Sequence, residues 1–238
     1  MGYGMRVGII GAMDQEVELL RNSLIGSTVT TVAGMEFCAG SLGGTEVVVV
    51  KSGVGKVNAG ICVQILVDRF DITNVINTGV AGSLDDSLDI GDLVVSVDCV
   101  WHDVDATSFG YRIGEIPGMG VVEFPADEAM RASALAAASE VAPEVHAVEG
   151  RIVSGDQFVT RMDVKERLVK DFAGSCCEME GTAIAQAAYS NGIPFVVVRA
   201  ISDKPGADDQ FMDYPTFEYQ SANRCARIVA RMVERSLA

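Results

Sequence analysis

Histidine is scarce in this chain: His102 and His146 are the only two among 238 residues. Two imidazoles leave little scope for a His/Cys metal cluster or a serine–histidine triad, and no GxSxG elbow is present. Cysteine is present but without a pattern. Six thiols occur, none in a CxxC pair, with Cys176 and Cys177 adjacent. They read as small buried thiols in a reducing compartment, so a cytoplasmic location is expected. Cationic charge is in deficit, 18 Lys+Arg against 33 Asp+Glu, for a net charge of −15. That argues against a nucleic-acid partner, which needs a basic surface. A run of eighteen apolar residues is missing, so no membrane span is expected, and the start lacks the basic-then-apolar order of a secretory leader.

What the chain does have is apolar mass, 49% hydrophobic against 21% charged, enough for a substantial core. Its organising stretch is Phe195 to Asp203 (FVVVRAISD), a near-continuous apolar run of the kind found in a parallel strand covered on both faces. Ligands bind at the carboxyl ends of such strands. Ser202 and Asp203 stand at that end, before the breaker Lys204-Pro205-Gly206. Upstream, RVGIIGA (6–12) predicts a first buried strand, with Asp14 as N-cap of the following helix and Glu16 in its first turn. Glu16 in that place equally serves the helix dipole.

Residues 28–51 read as a three-strand meander. Gly53-Val54-Gly55-Lys56 then opens a helix. It is not a phosphate loop, because Val50 and Val57 stand where a P-loop needs Gly and Ser/Thr. It is not a dinucleotide loop either, because Asn58 replaces the third glycine. NVINT (74–78) predicts a short strand, followed by Gly79-Val80-Ala81-Gly82-Ser83, whose small residues admit either a ligand or a neighbouring strand. Residues 92–105 are β-rich, and the glycine-rich 107–120 suits a surface loop or lid. Helices are expected over 126–141, 162–172, 182–190 and 215–237, and a strand over 148–154. Strands alternating with helices over 5–238 imply one α/β domain. Residues 1–4 read as a vector remnant or a disordered start.

Glu16, Glu180 and Asp203 each lie where an extended run meets a helix or loop. Three acids at one sheet rim suit proton delivery, water activation and hydroxyl binding, as in cleavage at a sugar carbon. Three helix-end acids is the plainer account. Cys177 reads as a structural thiol and His102 as a packing residue.

Taken in series, GIIGAMDQEV (8–17), KSGVGKVNA (51–59), NTGVAGSL (77–84), VSGDQFV (153–159), CEMEGTAIA (177–185) and PFVVVRAISD (194–203) resemble the 5′-methylthioadenosine/S-adenosylhomocysteine nucleosidases of the nucleoside phosphorylase superfamily. The resemblance implies a three-layer α/β/α sandwich around a twisted mixed sheet, a homodimer, and hydrolysis of a nucleoside in methionine salvage with no metal or cofactor. It casts Asp203 as the acid for adenine N7, oriented by Ser202. Glu180 and Met179 would hold the ribose, and Glu16 and Arg199 the attacking water. Phe158 would stack on adenine and the Val159 backbone would read its edge. Val54 and Tyr214 would line the 5′ pocket, with Ala81 and Gly82 backing the ligand. Val80 and Gly181 depart from the family's usual serine-like and alanine residues, and Lys204-Pro205-Gly206 is unusual beside the acid. The alternatives are a 6-amino-6-deoxyfutalosine nucleosidase and a phosphorylase of the same fold, whose phosphate would call on Lys56 and Arg199.

Overall fold

The structure, a computed structural model, describes residues 5–204 and 214–235, with side chains in the last helix from Phe217 onward. Its elements are β1 (Arg6–Gly11), α1 (Asp14–Asn22), β2 (Ile25–Val32), β3 (Met35–Leu42), β4 (Thr45–Lys51), α2 (Lys56–Phe70), β5 (Asn74–Ser83), β6 (Leu93–Trp101), β7 (Phe124–Pro125), α3 (Glu128–Val141), β8 (Ala147–Ser154), α4 (Met162–Phe172), β9 (Cys176–Glu178), α5 (Gly181–Asn191), β10 (Phe195–Asp203) and α6 (Tyr214–Glu234).

The apolar run of β10 is explained by its position: all nine residues are buried. It pairs in parallel with β5, from Phe195 opposite Val75 to Asp203 opposite Gly82, and antiparallel with β6 on its other side. β6 continues to β8, β8 to the short β9, and β9 back to β5. These five strands therefore close into a ring. From β5 the sheet runs outward through β1, β4 and β3 to β2. Helices cover both faces, giving three layers. Ala59, Cys62, Val63 and Leu66 of α2, with Ile184 and Ala188 of α5, pack on one face. Val17 and Leu20 of α1, Ala134 of α3 and Val229 of α6 pack on the other. Strands covered on both sides carry long apolar runs, as β1 does over 7–11, β4 over 47–50 and β10 over 195–198.

Two expectations need correction. The strand predicted over 74–78 runs on to Ser83, because 79–82 pair with β10 and 82–83 with β9, the neighbouring-strand use left open for these small residues. The N-cap of α1 is Met13, not Asp14. Asp14 lies inside the helix and turns outward to Lys51 (2.9 Å). The free N–H groups at that helix end are taken instead by Glu16, from its own first turn.

Candidate active site

The carboxyl ends of β1, β5, β9 and β10 meet around a cavity of about 160 Å³. Glu16 forms part of its floor. Its Oε2 accepts the N–H groups of Ala12 (2.6 Å) and Met13 (3.0 Å), and its Oε1 accepts that of Val80 (3.1 Å). One carboxylate thus caps α1 and ties it to β5, so the capping and site roles coincide. Burial raises the Glu16 pKa, with Arg199 and these N–H donors pulling the other way.

Arg199 does not line the cavity. It is 2% exposed and lies beneath, donating through Nη2 to Glu178 and to Asn77. Glu178, which sequence reasoning passed over, is the ionised partner. Burial alone would raise its pKa, but Arg199, the Ser154 hydroxyl and the N–H groups of Glu180 (3.0 Å) and Gly181 (2.7 Å) hold it below the usual value. No local pattern marks it in the sequence, because β9 ends at Glu178 and Glu180 is already the N-cap of α5.

Glu180 faces the cavity in the opposite protonation state. Burial and the neighbouring Glu178 charge push it up to about 8, although Gly55 N–H donates to its Oε1 at 2.7 Å. Two carboxyls two residues apart are thereby driven to different tasks, one anionic and one protonated near neutrality.

Asp203 closes the opposite wall at 4% exposure. Burial raises its pKa, the Ser202 hydroxyl opposes this with a 2.8 Å hydrogen bond to Oδ1, and the charge of Glu218 adds to the rise. Ser202 Oγ also lies 3.4 Å from Ala81 O. When Asp203 is protonated, the serine hydrogen therefore has a second acceptor.

Of the other expected residues, Val54, Ala81, Gly82, Phe158, Val159 and Met179 all line the cavity. Val54 and Phe158 are about half exposed, at 49% and 54%, so the walls they form face outward. The Tyr214 side chain and residues 205–213, including Pro205 and Gly206, lie outside the described residues. Ala12, Met13, Gln157 and Cys177 line the cavity without having been anticipated. Cys177 reads correctly as a structural thiol: burial keeps it protonated. Among the described residues no group of His, Cys, Asp and Glu is arranged to hold a metal.

Lys56, weighed as a phosphate ligand, is already engaged. Its Nζ donates to Asp103 Oδ2 at 2.8 Å and lies 3.6 Å from Asp156 Oδ2. With Arg199 paired to Glu178, both cations considered for phosphate have anionic partners.

A family profile described as the phosphorylase superfamily matches residues 6–234. The 5′-methylthioadenosine/S-adenosylhomocysteine nucleosidase of Treponema pallidum is 41% identical over 252 residues, covering 97% of this chain and 93% of that one. That of Halalkalibacterium halodurans is 42% identical over 233 residues, covering 95% and 99%. Among solved structures, the Colwellia psychrerythraea nucleosidase in complex with adenine superposes with a TM-score of 0.92 at 38% identity, covering 97% and 95%. A Helicobacter pylori futalosine hydrolase superposes at 0.90 and 33% identity, covering 97% and 98%. The chain belongs to the phosphorylase superfamily, among its 5′-methylthioadenosine/S-adenosylhomocysteine nucleosidases.

Proposed function

We propose that this protein hydrolyses the N-glycosidic bond of 5′-methylthioadenosine and S-adenosylhomocysteine, releasing adenine and the 5-thio-ribose. The observation that carries the reading is a single cavity in which shielded Asp203 stands with buried Glu16, Glu178 and Glu180. Adenine leaves poorly as an anion. As the C1′–N9 bond breaks, its electrons pass to the purine and Asp203 protonates N7. Ser202 holds that carboxyl in place. Phe158 stacks on the base, and the Val159 backbone meets its Watson–Crick edge. Glu180, with Met179 beside it, takes the ribose hydroxyls. The ring acquires oxocarbenium character, which the Glu178 anion favours.

Water adds to C1′ and yields its proton to Glu16. Arg199 acts here from below, through its charge on Glu16 and its grip on Glu178, rather than by touching the water. Val80 offers no hydroxyl, so the main chain and Glu16 hold the nucleophile. Val54 borders the 5′-substituent. The two engaged cations disfavour phosphate as nucleophile.

The protein acts in methionine salvage in the cytoplasm, as a homodimer; α2 supports the dimer by leaving Val57 and Ile61 exposed one turn apart. No helix among the described residues is long and apolar enough to cross a membrane.

The test is adenine release from methylthioadenosine with and without phosphate. Phosphate-independent release is expected, and strict phosphate dependence would defeat the proposal. A second reading, the 6-amino-6-deoxyfutalosine nucleosidase, takes support from the futalosine hydrolase neighbour. Relative turnover of the two nucleosides separates them.

A further inference from the structure

The rim of the cavity carries a charge cluster that the reaction does not consume. Besides the contacts of Lys56 Nζ, Asp156 N donates to Asp103 Oδ2 at 3.0 Å, and Lys56 N donates to Asp156 Oδ1 at 3.1 Å. Three segments meet here: the start of α2, the chain after β6 and the chain after β8. Gly155 permits the approach, since a Cβ there would fall 2.5 Å from His102 Cε1 and 2.9 Å from Asp103 Cγ.

Two of these segments lead directly to walls of the site. Asp156 precedes Gln157, Phe158 and Val159, which line the purine side. Lys56 follows Val54, which lines the cavity, and Gly55, whose N–H donates to Glu180. A partly exposed ion pair contributes little to global stability. Here the same charges fix the spacing between two working walls.

We infer that Lys56 is a positioning residue: by binding Asp103 and Asp156 it holds the 157–159 wall in register with Gly55 and Glu180. The inference rests on the nucleosidase reading. It has a built-in reporter. Trp101 is the chain's only tryptophan, and Lys56 Nζ lies 5.0 Å from its ring centroid.

The experiment compares wild type, Lys56→Met and Lys56→Arg by steady-state adenine release, adenine affinity and Trp101 emission. Lys56→Met is expected to raise KM and the adenine Kd about tenfold while kcat stays within about threefold, the signature of lost ground-state positioning. Lys56→Arg restores most of the affinity. Trp101 emission changes in Lys56→Met, showing that the cluster is broken. Wild-type KM and adenine Kd alongside altered emission would overturn the inference, as would a loss confined to kcat. If Lys56→Met does not fold, Asp156→Ala is read by the same criteria. A wild-type enzyme that releases no adenine sinks the nucleosidase reading instead, so the two failures are distinguishable.

Discussion

Gly79 and Arg199 are cross-strand partners, and a Cβ on Gly79 would stand 2.6 Å from Arg199 Nη1 and 2.4 Å from Glu16 Oε1. The absent side chain is the space in which the buried arginine and the cavity glutamate approach one another. Gly79→Ala is expected to displace both, with at least about tenfold loss of adenine release and about 1–3 kcal/mol of stability, the usual range for overpacking. Kinetics and denaturant unfolding on one preparation check this; unchanged kinetics would mean that the pair does not need the gap.

Asp203→Asn removes the transferable proton and keeps the shape. Adenine release is expected to fall by about 10²–10⁴-fold, the range for a general acid, with the melting temperature not lowered. Because burial raises the Asp203 pKa, the wild type carries the proton further toward neutrality than a free aspartate. Its activity should decline as pH rises through that raised value, and the single-turnover pH profile measures this.

Glu180 predicts a stability slope. Its folded pKa of about 8 lies above the ordinary 4.5, so the folded state binds the proton more tightly than the unfolded one. The stability this supplies is complete below pH 4.5 and is lost as pH rises toward 8, at no more than roughly 1.4 kcal/mol per pH unit. Glu180→Gln should lose less stability than wild type across that window. Parallel slopes in urea titrations at several pH values would refute the assignment.

Arg199→Met leaves the Glu178 carboxylate buried without its cation. Roughly 3–5 kcal/mol of destabilisation is expected, the scale for breaking a buried ion pair from one side. The double variant Arg199→Met/Glu178→Gln should recover part of it, and equilibrium unfolding of the set decides.

The sheet was largely legible because burial on both faces demands unbroken apolar runs. β10 ends at Asp203 as read, and the acid stands at the carboxyl end of its strand. Glu16, Glu180 and Asp203 were found because each marks an element boundary. Glu178 was not, since nothing local marks it. Its meaning depends on β9, three residues long, bridging β8 and β5 so that Arg199 comes within reach. For the same reason the small residues after 78 left a ligand and a neighbouring strand both open, and only the pairing of Gly79 with Arg199 shows what its missing side chain is for. The Lys56 cluster joins residues 47 and 100 positions apart, a meeting that no window of sequence reveals.

The ring of five strands also decides where the molecule is adhesive. A sheet closed at one end has lost the margin that would otherwise invite a foreign strand. Among the described residues, apart from two-residue β7, that leaves β2, exposed along nearly its whole length and paired on one side alone. Any tendency of this protein to template onto another chain should therefore start at residues 25–32, and a lysine placed there is the economical way to suppress it.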